Sequence, residues 1–156
     1  MTTKTNANNQ DSLPPGLAFA TDIISVDEEM ELIRLIEACG PQRYPGDEQS
    51  RLAAISYGWR YDTGDGHFSP CEPMPAAFLR VRNLAAQFAD IDPESIVQCL
   101  FNRYEVGADI PWHIDKPIWE HVIGISLGSA ASMGYRKGTD GHYQYASLNL
   151  PPRSIY

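Results

Sequence analysis

The residue pattern of the chain changes once, near Ser95, and that change restricts the fold more than any other feature. Before it, two stretches carry apolar residues at helical spacing. VDEEMELIRLIEACG places Met30, Ile33, Leu35 and Ile36 among acids. Ser25 or Asp27 can cap its start, the acids lie near the positive end of the helix dipole, and Gly40 with Pro41 stops it. The stretch from Pro75 to about Ala89 repeats the pattern with Phe78, Leu79, Val81, Leu84, Ala85 and Phe88, before Asp90 and Pro93. After Ser95 the runs become short and β-like: IVQCLFNRYEVG, DIPWHIDKP, EHVIGISLG, ASMGYRK and YASLNLPP, separated by glycine and proline. Helices first and short strands after predict an α+β chain that is mostly β, a sandwich or jelly roll with its N-terminal helices packed on one sheet. Between the helices, LAAISYGW reads as a strand running into a long loop, RYDTGDGHFSP, of the length that often carries function.

Size and composition bound the rest. A chain of 156 residues buries one core, so residues 13–156 are expected to form a single domain behind a disordered polar tail, MTTKTNANNQDS, at residues 1–12. No apolar run approaches the roughly 20 residues of a membrane helix, and the tail has no targeting pattern, which points to a soluble protein with no membrane partner. Cys39, Cys71 and Cys99 are odd in number and widely spaced, as expected of reduced thiols in a cytoplasm rather than a disulfide framework or a zinc site. The net charge of −8 belongs to the front of the chain: residues 1–100 hold 7 Lys and Arg against 15 Asp and Glu, and residues 101–156 hold 5 against 5. A protein built for long duplex contacts usually shows a basic face, and none is visible here.

Two spacings carry chemistry. His113 and Asp115 are two apart, so in an extended stretch an imidazole and a carboxylate leave the same face. They supply two of the three ligands of a 2-His-1-carboxylate iron site. Asn102 and Tyr104 are also two apart, on the apolar run NRYEVG. If that run is buried, the amide and the phenol need partners, either from the core or from an anionic ligand. Tyr57, Trp59 and Tyr61 alternate in the same way around Arg60, and that alternation equally suits one buried face of a strand.

FNRYEVGADIPWHID followed by HVIGISLGSAASMGYRK resembles the central block of the AlkB-like oxygenases. GLAFATDIISVDEEMELIRLIEA resembles that family's entry strand and first helix, and AISYGWRYD its substrate-side strand and lid, so the likeness runs from about Gly16 to Tyr156. The resemblance implies a double-stranded β-helix with Fe(II) on His113 and Asp115 and the co-substrate 2-oxoglutarate on Asn102 and Tyr104. It also implies an aromatic lid at Tyr57, Trp59, Arg60 and Tyr61 that clamps a flipped base. The activity implied is oxidative demethylation of alkylated nucleobases, of the DNA- or RNA-repair type, with release of succinate and formaldehyde. A protein or small-molecule substrate is the rival within enzymes, and a non-catalytic binding module is the rival from another class. The family pattern ends with a distal His and an Arg for the far carboxylate of 2-oxoglutarate, both expected beyond Tyr156. The chain is therefore expected to lack its final strands, to hold iron weakly and to turn over poorly. His121 is too close to Asp115 to be the third ligand, His142 sits in the turn-rich KGTDGHYQY, and Arg153 reads as a surface or turn residue.

Overall fold

The structure is a computed structural model, and the residues it describes are 13–43, 50–62, 66–139 and 141–156. The tail at residues 1–12 lies outside them. Among the described residues two α-helices and eight strands follow one another, three strands between the helices and five after the second, and every strand pair is antiparallel. The chain divides into two compact units, one drawn from Met1–Glu29 with Gly124–Tyr156, the other from Met30–Ile123. Helix α1, Val26–Cys39, crosses the division.

In the first unit the chain enters α1 through a capping box. The Glu28 backbone N–H donates to Ser25 Oγ at 3.2 Å and the Ser25 N–H to Glu28 Oε2 at 2.8 Å, so Ser25 rather than Asp27 is the cap. Strands β5 (Ile125–Ser126) and β8 (Ser154–Ile155) pair, and Ala20 bridges to Ile155 on the other side. Ile24, Leu148, Leu150, Ser154 and Ile155 are buried here. Arg153 makes the turn into β8 with φ +62, as a turn residue, but it is not merely on the surface. Its guanidinium reaches Glu29 Oε2 at 3.0 Å and Asp22 Oδ1 at 3.1 Å, while Glu29 Oε1 accepts from the Gly128 N–H at 2.8 Å. Glu29 is only 6% exposed, so its charge is matched by a cation and an amide, as a buried carboxylate requires. The hydrogen bonds from Glu29, then Asp22, raise the Arg153 pKa further.

Strands β6 (Ala131–Thr139) and β7 (His142–Leu150) form a nine-pair hairpin in the same unit. One face, with Met133, Tyr135, Ala146, Leu148 and Leu150, turns inward. On the other, Ser132, Gly134, Arg136, Gly138, Tyr143, Tyr145, Ser147 and Asn149 are all exposed. His142 is the first residue of β7, not part of a loop.

The second unit is built on β1 (Leu52–Tyr57) paired with β4 (Cys99–Tyr104). Ala53, Ile55 and Tyr57 share a face with Arg103, Phe101 and Cys99, and the helices cover it. Phe78 packs on Phe101 with ring centroids 4.5 Å apart, and Arg103 pairs with Glu37 of α1 at 2.9 Å. A single turn of tighter helix, Ala76–Phe78, leads into α2, Leu79–Ala89, which ends on Asp90 with φ 56. Phe78, Ala85 and Ala86 are buried, whereas Leu79, read from spacing as part of the apolar stripe, is exposed.

The expected long loop after β1 is mostly hairpin. Gly58, φ +79, breaks the strand, and Trp59–Tyr61 (β2) then pairs with Phe68–Pro70 (β3). A side chain at Gly58 would run into the Val97 carbonyl, so the kink needs glycine twice over, for its φ and for its lack of Cβ. Beyond β4, residues 105–124 form no strand. Pro111 and Pro117 remove backbone donors that a ladder would need, and the DIPWHIDKP stretch is exposed throughout.

Candidate metal and co-substrate site

β4 ends in a tight turn. The Ala108 N–H donates to the Glu105 carbonyl at 2.9 Å, Gly107 takes φ +79, and the Glu105 N–H donates back to Arg51 at 2.9 Å. An ion pair between Arg43 and Glu105 at 2.6 Å braces the same turn and lowers the Glu105 pKa. The chain then passes through Ile110 and Pro111 into His113.

His113 and Asp115 are brought together by this irregular segment and not by strand alternation. Nε2 of His113 lies 3.4 Å from Oδ1 of Asp115, and both side chains are more than half exposed. The other ring nitrogen, Nδ1, lies 2.9 Å from the Pro111 carbonyl oxygen, an acceptor, so Nδ1 is the donor. In the neutral ring Nε2 then carries its lone pair on the side of the carboxylate, and two acceptors share one space. A cation answers that arrangement. Bonds of about 2.1 Å to a six-coordinate metal place adjacent donor atoms about 3 Å apart, close to the spacing seen. A backbone carbonyl on the second nitrogen is also how metal-bound histidines are commonly oriented. The pair therefore fits a metal ion. Among the described residues no group of three His, Cys, Asp or Glu side chains gathers to hold one.

Asn102 and Tyr104 do share a face of β4, opposite Ala54 and Leu52 of β1. They are not buried: the helices cover the other face, and Leu100, Asn102 and Tyr104 stand on the open one, Tyr104 being 46% exposed. Alternation assigned them to one face but could not say which face the helices would choose.

The lid residues part company at Gly58. Tyr57 turns toward the helix-covered face, edge-on to Phe101 at 5.8 Å. Its hydroxyl is pushed up to about 12, first by a hydrogen bond with the Cys39 thiol and then by burial, with Cys99 and Cys71 also close enough to contribute. Cys99, its cross-strand partner, is raised to about 12 by burial and the nearness of Cys39. The three widely spaced thiols thus meet around one phenol, free and half-buried. Trp59 and Arg60 are exposed, and Tyr61 stacks at 4.9 Å on Phe68, which meets Trp119 edge-on at 4.9 Å. Lys116, next to Asp115, holds its ammonium 4.7 Å above the Tyr61 ring. Phe68, Lys116 and Trp119 were not singled out in the sequence. Lys116 is the informative one, since it ties the aromatic hairpin to the His113–Asp115 segment.

Helices on antiparallel strands, with an imidazole and a carboxylate side by side in an exposed segment, agree with what the comparison with known families gives. The description "2OG-Fe(II) oxygenase superfamily" matches residues 23–156, and the chain belongs to that superfamily, as its AlkB-like resemblance implied. The chain is 28% identical over 157 residues to the Mus musculus protein named tRNA (carboxymethyluridine(34)-5-O)-methyltransferase ALKBH8, covering 93% of this chain and 22% of that protein. The Macaca fascicularis protein of the same name is 26% identical over 156 residues, covering 92% and 22%. The chain thus spans about a fifth of the length of these relatives. Fe(II) and 2-oxoglutarate are the cofactors the superfamily implies.

Proposed function

We propose that this chain is the oxygenase part of an enzyme that oxidises an alkylated or otherwise modified base of a nucleic acid, RNA before DNA. The observation that carries the reading is the His113–Asp115 pair, with Nδ1 tied to Pro111 and Nε2 facing the carboxylate. Iron bound there with 2-oxoglutarate would supply the oxidising chemistry for a C–H bond next to a base nitrogen. The chain's own part is to hold and to shape. His113 and Asp115 hold the metal. Asn102 and Tyr104 offer hydrogen bonds to the co-substrate from the open face of β4. Trp59, Arg60 and Tyr61, with Phe68 and Trp119 behind them, give an extruded base an aromatic wall. Tyr57 anchors the strand that carries this wall.

Support for an RNA substrate comes from the relatives, whose name is that of a tRNA enzyme. That name describes the whole protein, of which the matched stretch is 22%, and methyl transfer is not carried over. On the same reading residues 13–156 make one domain, the antiparallel pairs belong to a double-stranded β-helix, and the protein works in a reducing cytoplasm. No helix among the described residues is long and apolar enough to cross a membrane.

The test is succinate release from 2-oxoglutarate by the protein in its natural length, with Fe(II), in the presence of N-methylated oligoribonucleotides, the matching oligodeoxynucleotides, and methylated peptides. The reading predicts iron-dependent succinate raised most by the ribonucleotides and abolished by Asp115→Ala. Stimulation by peptides alone would transfer the assignment to protein oxidation.

A further inference from the structure

The outward face of the β6–β7 hairpin has no part in the site above, yet its composition is unusual for a solvated surface. Eight side-chain positions on it are exposed, and five are Gly, Ser or Asn. The other three are Arg136, Tyr143 and Tyr145. Tyr145 is 66% exposed and lies directly across from Arg136 in the ladder. Tyr143 lies across from Gly138, so nothing on β6 rises beside its ring. A Cβ at Gly138 would collide with the His142 carbonyl, which keeps that position flat. The two tyrosine rings are 6.2 Å apart, and the Arg136 guanidinium sits 4.9 Å from the Tyr143 ring centre. A shallow cavity of about 500 Å³ at the hairpin end continues from Tyr143 past Lys137, Gly138, His142 and Gln144.

We infer that this face is a stacking platform for single-stranded nucleic acid, with successive bases on Tyr145 and Tyr143 and a phosphate against Arg136. The spacing fits: a single strand stretched to about twice its stacked rise of 3.4 Å puts neighbouring bases roughly 7 Å apart. Stacking on tyrosine tolerates any base, and an arginine lying on one ring adds a cation without blocking the other. Charge selects the occupant. The chain as a whole is strongly acidic, but none of the eight side chains on this face is a carboxylate, and Arg136 gives it a cation. An acidic chain that clears its carboxylates from one aromatic face leaves a surface suited to a polyanion. The flat, small-residue ground around the rings suits planar bases better than the side chains of a protein partner. The inference rests on the reading of the chain as a nucleic-acid enzyme and adds a second surface that holds the strand.

The experiment is fluorescence anisotropy of the 156-residue chain with a fluorescein-labelled dodecauridylate, run in EDTA without 2-oxoglutarate. Because no metal is present, failure here leaves the His113–Asp115 assignment standing, and failure of that assignment leaves this one. Binding is expected, weak and slightly salt-dependent, with a log–log slope near −0.7 for one cation on a single strand. Tyr145→Ala and Tyr143→Ala should each weaken it roughly fivefold or more, Tyr145→Phe less than about twofold, and Arg136→Ala should flatten the slope by about 0.7. A duplex of the same length should bind more weakly. The inference is overturned if the oligonucleotide does not bind, if Tyr145→Ala binds like the parent, if Tyr145→Phe loses as much as Tyr145→Ala, or if the duplex binds equally well.

Discussion

At Cys99 a thiol sits across the ladder from Tyr57, in a half-buried cluster with Cys39, and burial raises it to about 12. Thiolate is the reactive form, so native Cys99 should be inert where an unfolded thiol, near 8.5, is partly ionised. At pH 8, iodoacetamide should modify Cys99 at least roughly a hundredfold more slowly in the native chain than in the chain unfolded by guanidinium, as followed by peptide mass spectrometry. Rapid native labelling would mean the cluster is open. The same shift has a sign for stability. A group whose pKa is raised on folding contributes fully below its unfolded value and loses that contribution as pH climbs through the folded one. The denaturant midpoint should therefore fall between about pH 9 and 12, with Cys99→Ala removing part of the slope.

Residue-scale chemistry was legible where it depends on neighbours in sequence and hidden where it does not. His113 and Asp115 stood out at a spacing of two, but the Pro111 carbonyl that orients the ring became visible only with the loop's actual path. Arg153 read as a turn residue, and its φ of +62 agrees. Its partner Glu29 lies 124 positions away, and no local pattern announces such a pair. The three cysteines looked unrelated for the same reason.

Elements were legible where the chain punctuates itself. Ser25, Glu28 and Gly40 bound α1, and Asp90 ends α2, because caps act within one helical turn. The β2–β3 hairpin was missed, since the glycine and aspartate content of RYDTGDGHFSP hides two short strands that exist only because Gly58 redirects the chain. That gives an element-scale prediction. Gly58→Ala must adopt φ near +79 and meet the Val97 carbonyl, so it should cost roughly 1–3 kcal/mol in urea denaturation and disturb the tryptophan fluorescence of the hairpin. Val97→Ala leaves the offending carbonyl in place and should not restore the loss. A neutral Gly58→Ala would show that the kink is not fixed.

For the whole molecule, the switch from helices to short strands foretold the mixed architecture. It could not foretell that helices cover the Tyr57–Phe101 face of β1–β4 and leave Asn102 and Tyr104 on the open one, because both faces of that ribbon carry apolar side chains. That choice of face matters to the account, since a co-substrate can reach Asn102 and Tyr104 only from the uncovered side. The account as a whole stands on a metal ion between His113 and Asp115. The direct measurement is Mn(II) binding to the 156-residue chain, read from loss of the free-ion signal in electron paramagnetic resonance, for the parent, His113→Ala and Asp115→Ala. Both side chains are exposed, so neither substitution should disturb folding, which circular dichroism checks. The account predicts one site whose dissociation constant rises about tenfold or more in each variant. Mn(II) binding that is the same in all three chains would contradict it.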